Sequence, residues 1–220
     1  MKEERKISVG QIMESVFEIG YLLFDLIAFV LFISQSQGRQ MFILYAFLTL
    51  FLGTGDAFHL VPRIKRSLRG EDSYTEYTIG LGLMISSITM TIFYMILFVI
   101  RTMMGAPIVP FGLQILIVSM ALLRIVLCLF PQNNWFHKEG NMKWSFFRNV
   151  PITIVGICMI YLFATMHTSF GNQMAAAIFF SFLCYLPVTI WSKTHPKVGL
   201  LMIPKTCMYI WMLCLGLQLL

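Results

Sequence analysis

The chain alternates between long apolar segments and short polar ones along most of its 220 residues. Each crossing of a bilayer by an α-helix requires about 20 mostly apolar residues. Seven segments approach or reach this length, and Gly or Pro residues lie between them, as expected at helix ends. We therefore predict seven membrane-spanning helices, the fifth and sixth being short, over residues 14–34, 40–62, 76–100, 111–130, 151–166, 173–191 and 198–219.

Composition agrees with this prediction, since 58% of the residues are hydrophobic and only 12% are charged. Soluble globular chains contain about 25% charged residues. The sequence thus predicts an all-α fold, a polytopic membrane helix bundle in which residues 1–220 form a single seven-helix transmembrane domain. We expect a multi-pass protein of the cell membrane with the lipid bilayer as a partner. We expect no nucleic acid partner, because membrane orientation accounts for the net charge of +6.

Lysine and arginine are distributed unevenly between the predicted loops. The N-terminal segment and every second loop carry most of them: Lys2, Arg5, Lys6, Arg63, Lys65, Arg66, Arg69, Lys138, Lys143, Arg148, Lys193 and Lys197. The alternate loops carry only Arg39 and Arg101. Because cytoplasmic loops are enriched in these cations, the sequence predicts a cytoplasmic N-terminus and, with seven spans, a C-terminus outside.

The segment 53–63 places three ionisable side chains at the end of an apolar run. Asp56 and His59 are three residues apart, and Arg63 follows four residues after His59, so a helix presents all three on one face. Ionisable groups within a membrane span are costly and commonly serve a function. The alternative is that Arg63 only marks the water interface and that Asp56 is a packing residue.

Other predicted helices carry polar residues at a similar depth. The first helix has a polar stripe with spacings of four, three and four residues, formed by Glu14, Glu18, Tyr21 and Asp25. The fourth helix carries Arg124, and the seventh carries Lys205 with Tyr209 one turn further on. These groups predict either an ion-pair network that fixes helix packing or a polar cavity open to the cytoplasm. Their number favours the cavity.

The third predicted helix contains four neighbouring hydroxyl side chains, Ser86, Ser87, Thr89 and Thr91. Hydroxyl groups in membrane helices commonly bond to backbone groups where helices pack closely. We expect this structural role for them, and we expect Gly80 and Gly82 to permit close helix packing.

The candidate site residues suggest both catalysis and binding. Asp56 and His59 are the candidate catalytic residues, because a buried acid beside a histidine can exchange protons with a substrate. The candidate binding residues are Glu18, Asp25, Arg63, Arg124, Lys205 and Tyr209. No cofactor is predicted. Zinc is a minor alternative, in which Asp56, His59 and an acid of the first helix would supply the protein ligands that such a site requires.

The residues Gly55-Asp56-Ala57, followed by Leu60-x-Pro62-Arg63 and Tyr77-x-Ile79-Gly80, form a recognisable pattern. This pattern resembles the YhhN-like lysoplasmalogenase family, multi-spanning membrane hydrolases that cleave the vinyl ether of lysoplasmalogens. The resemblance implies that Asp56 is a catalytic acid. The chain departs from the family, which has a second aspartate in a late helix and usually one more span. Here Lys205 stands in the late helix, and no Asp or Glu follows Glu139.

Two functions remain open from the sequence. The first is a membrane-embedded hydrolase that cleaves an ether or ester bond of a lysolipid, with Asp56 and His59 as acid–base groups. The second is a non-enzymatic binding or transport protein, in which Lys205 and Arg124 hold a small anionic ligand or a lipid headgroup. Both hypotheses expect these four residues to line one cavity.

Overall fold

The computed structural model describes residues 8–70, 74–105, 107–137, 140–192 and 194–220. Within these ranges the chain has seven helices that are long and apolar enough to span a membrane, the last one together with the turn before it. The helices are α1 (Val9–Ser34), α2 (Gln40–Arg69), α3 (Thr75–Met103), α4 (Phe111–Leu129), α5 (Met142–Ala164), α6 (Ser169–Trp191) and α7 (Met202–Leu217). The predicted all-α class and the predicted number of spans are confirmed.

Helices that are neighbours in the sequence are also neighbours in space. Each helix packs against the next one, and α7 also contacts α1 and α2, so the bundle closes on itself. Short connections make consecutive helices run in opposite directions. The N-terminus of α1 therefore lies at the same end as the α2–α3, α4–α5 and α6–α7 connections. We call this the basic end, because most lysine and arginine residues fall there in the sequence.

The outward faces of the helices are largely apolar. On α1, Ile12, Leu23 and Ile27 are exposed, whereas Glu18 and Asp25 are buried. Hydrocarbon surroundings favour this arrangement, because ionisable side chains in a membrane turn towards the protein interior. The polar stripe predicted for the first helix therefore faces the bundle.

Helix α2 continues through Pro62 to Arg69, beyond its predicted end at residue 62. Proline has no backbone N–H, so the carbonyl oxygen of Phe58 loses the hydrogen bond that residue 62 would otherwise donate. Gly82 of α3 packs against this carbonyl so closely that an added Cβ would overlap it. The missing side chain at Gly82 thus brings α2 and α3 together next to His59, and the close packing predicted for this glycine is confirmed.

Helix α5 begins at Met142, so the predicted start at residue 151 is wrong. Asn141 caps the helix, since its side-chain oxygen accepts hydrogen bonds from the backbone nitrogens of Lys143 (3.1 Å) and Trp144 (3.4 Å). Pro151 lies inside the helix instead of beginning it. Membrane helices tolerate an internal proline because neighbouring groups satisfy the freed backbone positions. The additional turns bring polar residues of α5 into the bundle.

Arg101 is fully buried in the last turn of α3, whereas the sequence prediction placed it in an outer loop. Its guanidinium group donates to the backbone oxygens of Leu162 (2.8 Å), Gly105 (3.4 Å) and Pro107 (3.2 Å). Carbonyl groups near helix ends lack intrahelical partners, and one arginine has enough donors to satisfy several of them. Arg101 thus fastens the α3–α4 connection to the end of α5, and its role here is structural.

The connection after α4 folds back over the end of that helix through a 3₁₀ turn, Pro131–Asn133. The side-chain nitrogen of Asn133 donates to the backbone oxygen of Leu127 at 2.7 Å. The indole nitrogen of Trp135 donates to the backbone oxygen of Cys128 at 2.9 Å. These bonds satisfy carbonyl groups at the end of α4 and hold the connection against the bundle.

A second 3₁₀ turn, Pro196–Leu201, leads into α7 at the basic end. Lys205 and Tyr209 are four residues apart on α7, and both side chains are buried. The early turns of α7 therefore contribute a cation and a phenol to the interior of the bundle.

Candidate functional site

A cavity of about 360 Å³ opens at the basic end of the bundle, and we call it the large cavity. Helices α3, α5, α6 and α7 form its walls together with the α4–α5 connection, while His59 reaches it from α2 and Arg124 from α4. The exposed residues Asn134, His137 and Met142 border it at that connection. Its polar lining residues include Ser86, Asn133, Arg148, Asn149, Ser181, Tyr185, Lys205 and Tyr209.

Arg124 is buried in this cavity without an acidic partner in the described part of the chain. It is 3% exposed, and its Nε atom has no hydrogen-bond acceptor there. The ion pairs found among the described residues involve His59 and Arg63, and none of them includes Arg124. A buried charge without a counter-charge is costly, so Arg124 is a strong candidate for contact with a ligand.

The charged side chains that line the large cavity are cations. Arg124, Arg148 and Lys205 all line it, whereas none of its described lining residues is Asp or Glu. The sequence explains this, because Glu139 is the single acid after Glu76, and it lies outside the described residues. A cavity with cationic walls and a low dielectric concentrates its field and attracts anions.

Arg148 lies on α5, whereas the sequence prediction placed it in a loop. Its Nη1 atom donates to Asn133 Oδ1 at 2.9 Å, and its guanidinium carbon lies 4.1 Å from the centroid of the Trp135 ring. The hydrogen bond and the cation–π contact fix the orientation of the guanidinium group without neutralising its charge.

Lys205 is held by aromatic rings instead of an acid. Its Nζ atom lies 5.2 Å from the ring centroid of Tyr185 and 5.1 Å from that of Tyr209. Tyr185 is positioned in turn by a 2.7 Å hydrogen bond from its hydroxyl group to Asn149 Oδ1. Among the described residues, no ion pair within 4.0 Å joins Lys205 to Asp56. The shared depth of Lys205 and Asp56 in the sequence predicts a salt bridge or a bridging water between them, and the direct salt bridge is absent from this part of the chain.

A second and narrower space, of about 30 Å³, lies between α1, α2 and α7, and we call it the narrow cleft. Asp56 lines this cleft and is 6% exposed. Its carboxylate accepts hydrogen bonds from the Tyr21 hydroxyl at 2.8 Å and from the Ser86 hydroxyl at 3.1 Å. Asp56 is not among the lining residues of the large cavity. Both of its oxygen atoms are thus engaged by protein donors.

The contact of Ser86 with Asp56 differs from the role predicted for the α3 hydroxyls. Ser87, Thr89 and Thr91 do bond to backbone oxygens of their own helix, as predicted. Ser86 instead reaches across to α2, because its hydroxyl group faces the buried acid.

His59 lines both the large cavity and the narrow cleft. Its Nδ1 atom lies 4.0 Å from Asp56 Oδ1, which is too long for a hydrogen bond. That nitrogen atom has no hydrogen-bond partner among the described residues. The predicted shared face of Asp56 and His59 is confirmed, and the imidazole stands at the boundary between an acidic and a cationic environment.

Arg63 lines the narrow cleft together with Glu14 and Glu18. It forms an ion pair with Glu14, and its Nε atom lies 3.5 Å from Glu18 Oε1. The two acids and the arginine tie α1 to α2, which corresponds to the ion-pair interpretation of the sequence. Glu18 and Arg63 therefore sit in the cleft and not in the large cavity.

Asp25 lines neither the large cavity nor the narrow cleft. It is 2% exposed and packs against Gly53 of α2, where an added Cβ would lie 2.9 Å from the Asp25 Cβ. Neither of its carboxylate oxygens has a hydrogen-bond partner among the described residues. Its position beside a groove between α1 and α2 separates it from the other candidate binding residues.

The structure thus brings together part of the predicted site and adds residues to it. His59, Arg124, Lys205 and Tyr209 line the large cavity as expected, whereas Asp56 does not. Sequence reasoning missed the polar residues that the α4–α5 region and α6 supply, namely Asn133, Arg148, Asn149, Ser181 and Tyr185. A signal for the α5 residues was present in Asn141, a favourable N-cap residue before the helical segment.

Metal binding has no support from this arrangement. No group of three His, Cys, Asp or Glu side chains among the described residues is placed to hold a metal ion. We therefore propose no zinc site at Asp56 and His59.

No protein-family model matches this chain, and the searches of curated proteins and of solved structures found no match either. The resemblance of Gly55-Asp56-Ala57 to the YhhN-like lysoplasmalogenase family therefore stays a prediction. The same holds for the catalytic role of Asp56 that this resemblance implies.

Proposed function

We propose that this protein binds a ligand carrying an oxyanion, such as a sulfate, phosphate or carboxylate group, in the large cavity. In this proposal the bundle spans a cell membrane and the cavity opens to the cytoplasm, because the α4–α5 connection at the basic end borders its mouth. Arg124 contacts the anionic group, and Arg148 and Lys205 supply further positive charge around it.

The observation that carries this proposal is the buried guanidinium group of Arg124, which has no acidic partner among the described residues. A charged side chain at the centre of a membrane helix costs about 2.5–3.5 kcal/mol on insertion scales. Among the described residues, no carboxylate within 4.0 Å offsets this cost for Arg124, and its Nε atom has no hydrogen-bond acceptor. An oxyanion in the cavity would do so, since a guanidinium group binds two oxygen atoms of such a group at once.

The size of the cavity limits the ligand. Small-molecule sites commonly have volumes of about 300–1,000 Å³, and a cavity of about 360 Å³ lies near the lower limit. It suits a small free anion, and it equally suits the headgroup of a lipid whose acyl chain stays outside. The oxyanion is common to both sources.

Hydrolysis of a lysolipid is a second hypothesis with weaker support. In its favour, Asp56 Oδ1 lies 4.0 Å from His59 Nδ1, which places the candidate acid close to the candidate base. However, Asp56 accepts hydrogen bonds from Tyr21 and Ser86 and faces the narrow cleft, which is too small for a lipid headgroup. Of the two candidate catalytic residues, His59 alone lines the large cavity.

Thermal stabilisation tests the binding proposal. The purified protein in phosphatidylcholine nanodiscs is heated with sulfate, with lysophosphatidylglycerol, or with lysophosphatidylcholine as the zwitterionic control. A ligand that binds only the folded state raises the midpoint of unfolding in a concentration-dependent way. We expect stabilisation by at least one of the two anionic ligands and a smaller effect of lysophosphatidylcholine, whose choline cation offsets the charge of its phosphate. Sulfate distinguishes a free anion from a lipid headgroup.

Two arginine variants test whether the stabilisation by the anion arises in the large cavity. Arg124→Gln removes the charge from the cavity, and we expect it to abolish stabilisation by the anion. Arg39→Gln removes an exposed cation that stacks on Phe42 and does not line the cavity, so it serves as the matched control. Equal stabilisation of Arg124→Gln and the parent protein would refute the proposal, and so would the absence of stabilisation by either anion.

A further inference from the structure

His59, Met202 and Lys205 line both the large cavity and the narrow cleft, and His59 and Lys205 are the two of them with ionisable side chains. On the cleft side the titratable neighbours of His59 are Glu14, Glu18, Tyr21 and Asp56, together with the cation Arg63. Glu14 and Glu18 also border an opening beside Arg63 and Arg66 at the basic end. The imidazole of His59 thus has its own route to solvent through α1 and α2, apart from the mouth of the large cavity.

The narrow cleft is too small for the ligands that fit the large cavity, but it can hold water. A space of about 30 Å³ corresponds to roughly one water molecule, and its walls are titratable groups. Protons can move along such a chain of carboxylates, a phenol and water, whereas an oxyanion cannot enter it. His59 can therefore exchange a proton with solvent while a ligand fills the large cavity.

Opposing charges act on a proton at His59. Asp56 Oδ1, 4.0 Å from its Nδ1 atom, favours the imidazolium form, while Lys205, which lines both spaces, and Arg63 of the narrow cleft oppose it. An anion bound near Lys205 in the large cavity offsets the field of that cation and increases the relative influence of Asp56. Binding of the anion and uptake of the proton then assist each other, and thermodynamic linkage makes this effect reciprocal.

We infer that anion binding in the large cavity is coupled to the uptake of one proton by His59, which exchanges with solvent through the narrow cleft. This inference rests on the proposed anion site. The coupling makes the affinity for the anion rise as the pH falls, by up to about tenfold per pH unit for one proton.

Several other titratable or charged groups face His59 or share its two spaces, and each is a competing origin for such a pH dependence. They are Glu14, Glu18 and Tyr21 on α1, Asp56 and Arg63 on α2, Tyr94 on α3, Arg124 on α4, His137 in the α4–α5 connection, Arg148 on α5, Tyr185 on α6, and Lys205 and Tyr209 on α7. Histidine is the group among them whose ordinary titration falls near neutral pH. His137, which is exposed at the mouth, is therefore the main competitor.

Calorimetry in paired buffers measures the coupling directly. The binding heat of sulfate, or of lysophosphatidylglycerol where only the lipid binds, is recorded near neutral pH in buffers with different enthalpies of ionisation. Neither probe changes its own charge in this pH range, so the dependence of heat on the buffer counts protons taken up by the protein. We expect uptake of a proton by the parent protein and by His137→Gln and His195→Gln. We expect no uptake by His59→Gln, whose binding heat is then the same in all buffers.

The outcomes separate this inference from the proposed function. Anion binding whose heat does not depend on the buffer would overturn the coupling and leave the anion site intact. Proton uptake that survives in His59→Gln would overturn the assignment to His59, and its disappearance in His137→Gln would assign it to His137 instead. The absence of any binding heat for either probe would overturn the anion site itself, and the coupling with it.

Discussion

Tyr21 on α1 donates a hydrogen bond to Asp56 on α2, with 2.8 Å between the Tyr21 hydroxyl oxygen and Asp56 Oδ2. Hydrogen bonds to charged groups contribute about 1.5–3 kcal/mol to stability. We expect Tyr21→Phe to lower the free energy of unfolding by an amount in this range, because the buried carboxylate loses one of its two donors. Chemical unfolding in mixed micelles measures the change.

Tyr45 is the matched control for this substitution. It is also fully buried, but its hydroxyl group has no hydrogen-bond partner among the described residues. Tyr45→Phe therefore removes an unsatisfied polar atom, and we expect it to be neutral or slightly stabilising. Equal losses of stability in Tyr21→Phe and Tyr45→Phe would contradict the assigned bond to Asp56.

The contact between Gly82 and Phe58 gives a second prediction. An added Cβ at Gly82 would overlap the Phe58 backbone, which cannot move aside as a flexible side chain can. We expect Gly82→Ala to destabilise the protein by about 1–3 kcal/mol, the usual cost of overpacking. Gly20→Ala is the control, because nothing lies within 4 Å of an added Cβ there. A thermal midpoint for Gly82→Ala as high as that for Gly20→Ala would show that α2 and α3 are not in close contact at this position.

Membrane orientation provides a third prediction. The cationic loops predict that a reporter inserted after Gly70 lies in the cytoplasm, while one inserted after Pro107 lies outside. A reporter fused after Leu220 should also lie outside. Paired reporters that are active only in the cytoplasm or only outside it measure this. A cytoplasmic signal at position 107 together with an outside signal at position 70 would reverse the assigned orientation.

The hydrolase hypothesis has its own test. Purified protein is incubated with lysoplasmalogen and lysophospholipids, and the products are measured by mass spectrometry beside Asp56→Asn. The geometry of the large cavity leads us to expect binding without turnover. Turnover that disappears in Asp56→Asn would support the hydrolase and replace the binding proposal as the main function. Turnover that survives in this variant would exclude Asp56 as the catalyst.

The helical architecture could be predicted from sequence because it depends on local properties. Apolar length determines which segments can cross a membrane, and the spacing of polar residues determines which face turns inward. The inward stripe of α1 and the shared face of Asp56 and His59 follow from such spacing. No tertiary information is needed for either conclusion.

The division of the polar residues between two spaces could not be predicted in this way. Asp56 and Lys205 lie at a similar depth, which suggested a salt bridge, but depth does not fix the direction in which a side chain points. Tyr21 and Ser86 engage Asp56 in the cleft, whereas Tyr185 and Tyr209 flank Lys205. These partners come from four different helices, and their arrangement depends on how the bundle closes.

The predicted positions of two arginines near helix ends were also wrong. Arg101 and Arg148 both looked like loop cations, since each lies next to a turn signal in the sequence. Arg101 is buried among backbone carbonyl groups, and Arg148 lies on the early turns of α5, which begin well before Pro151. Arginine can lie at a helix end and still be buried, because its many donors can satisfy carbonyl groups there.

Diffraction from crystals soaked in selenate tests the anion site most directly. Selenate has the shape and charge of sulfate, and the anomalous scattering of selenium reveals its position without ambiguity. We predict a selenium peak in the large cavity, with selenate oxygen atoms within about 3 Å of the Arg124 guanidinium nitrogens. We predict no such peak in crystals of Arg124→Gln. A large cavity without selenium in the parent protein, or a protein carboxylate found paired with Arg124, would contradict the account.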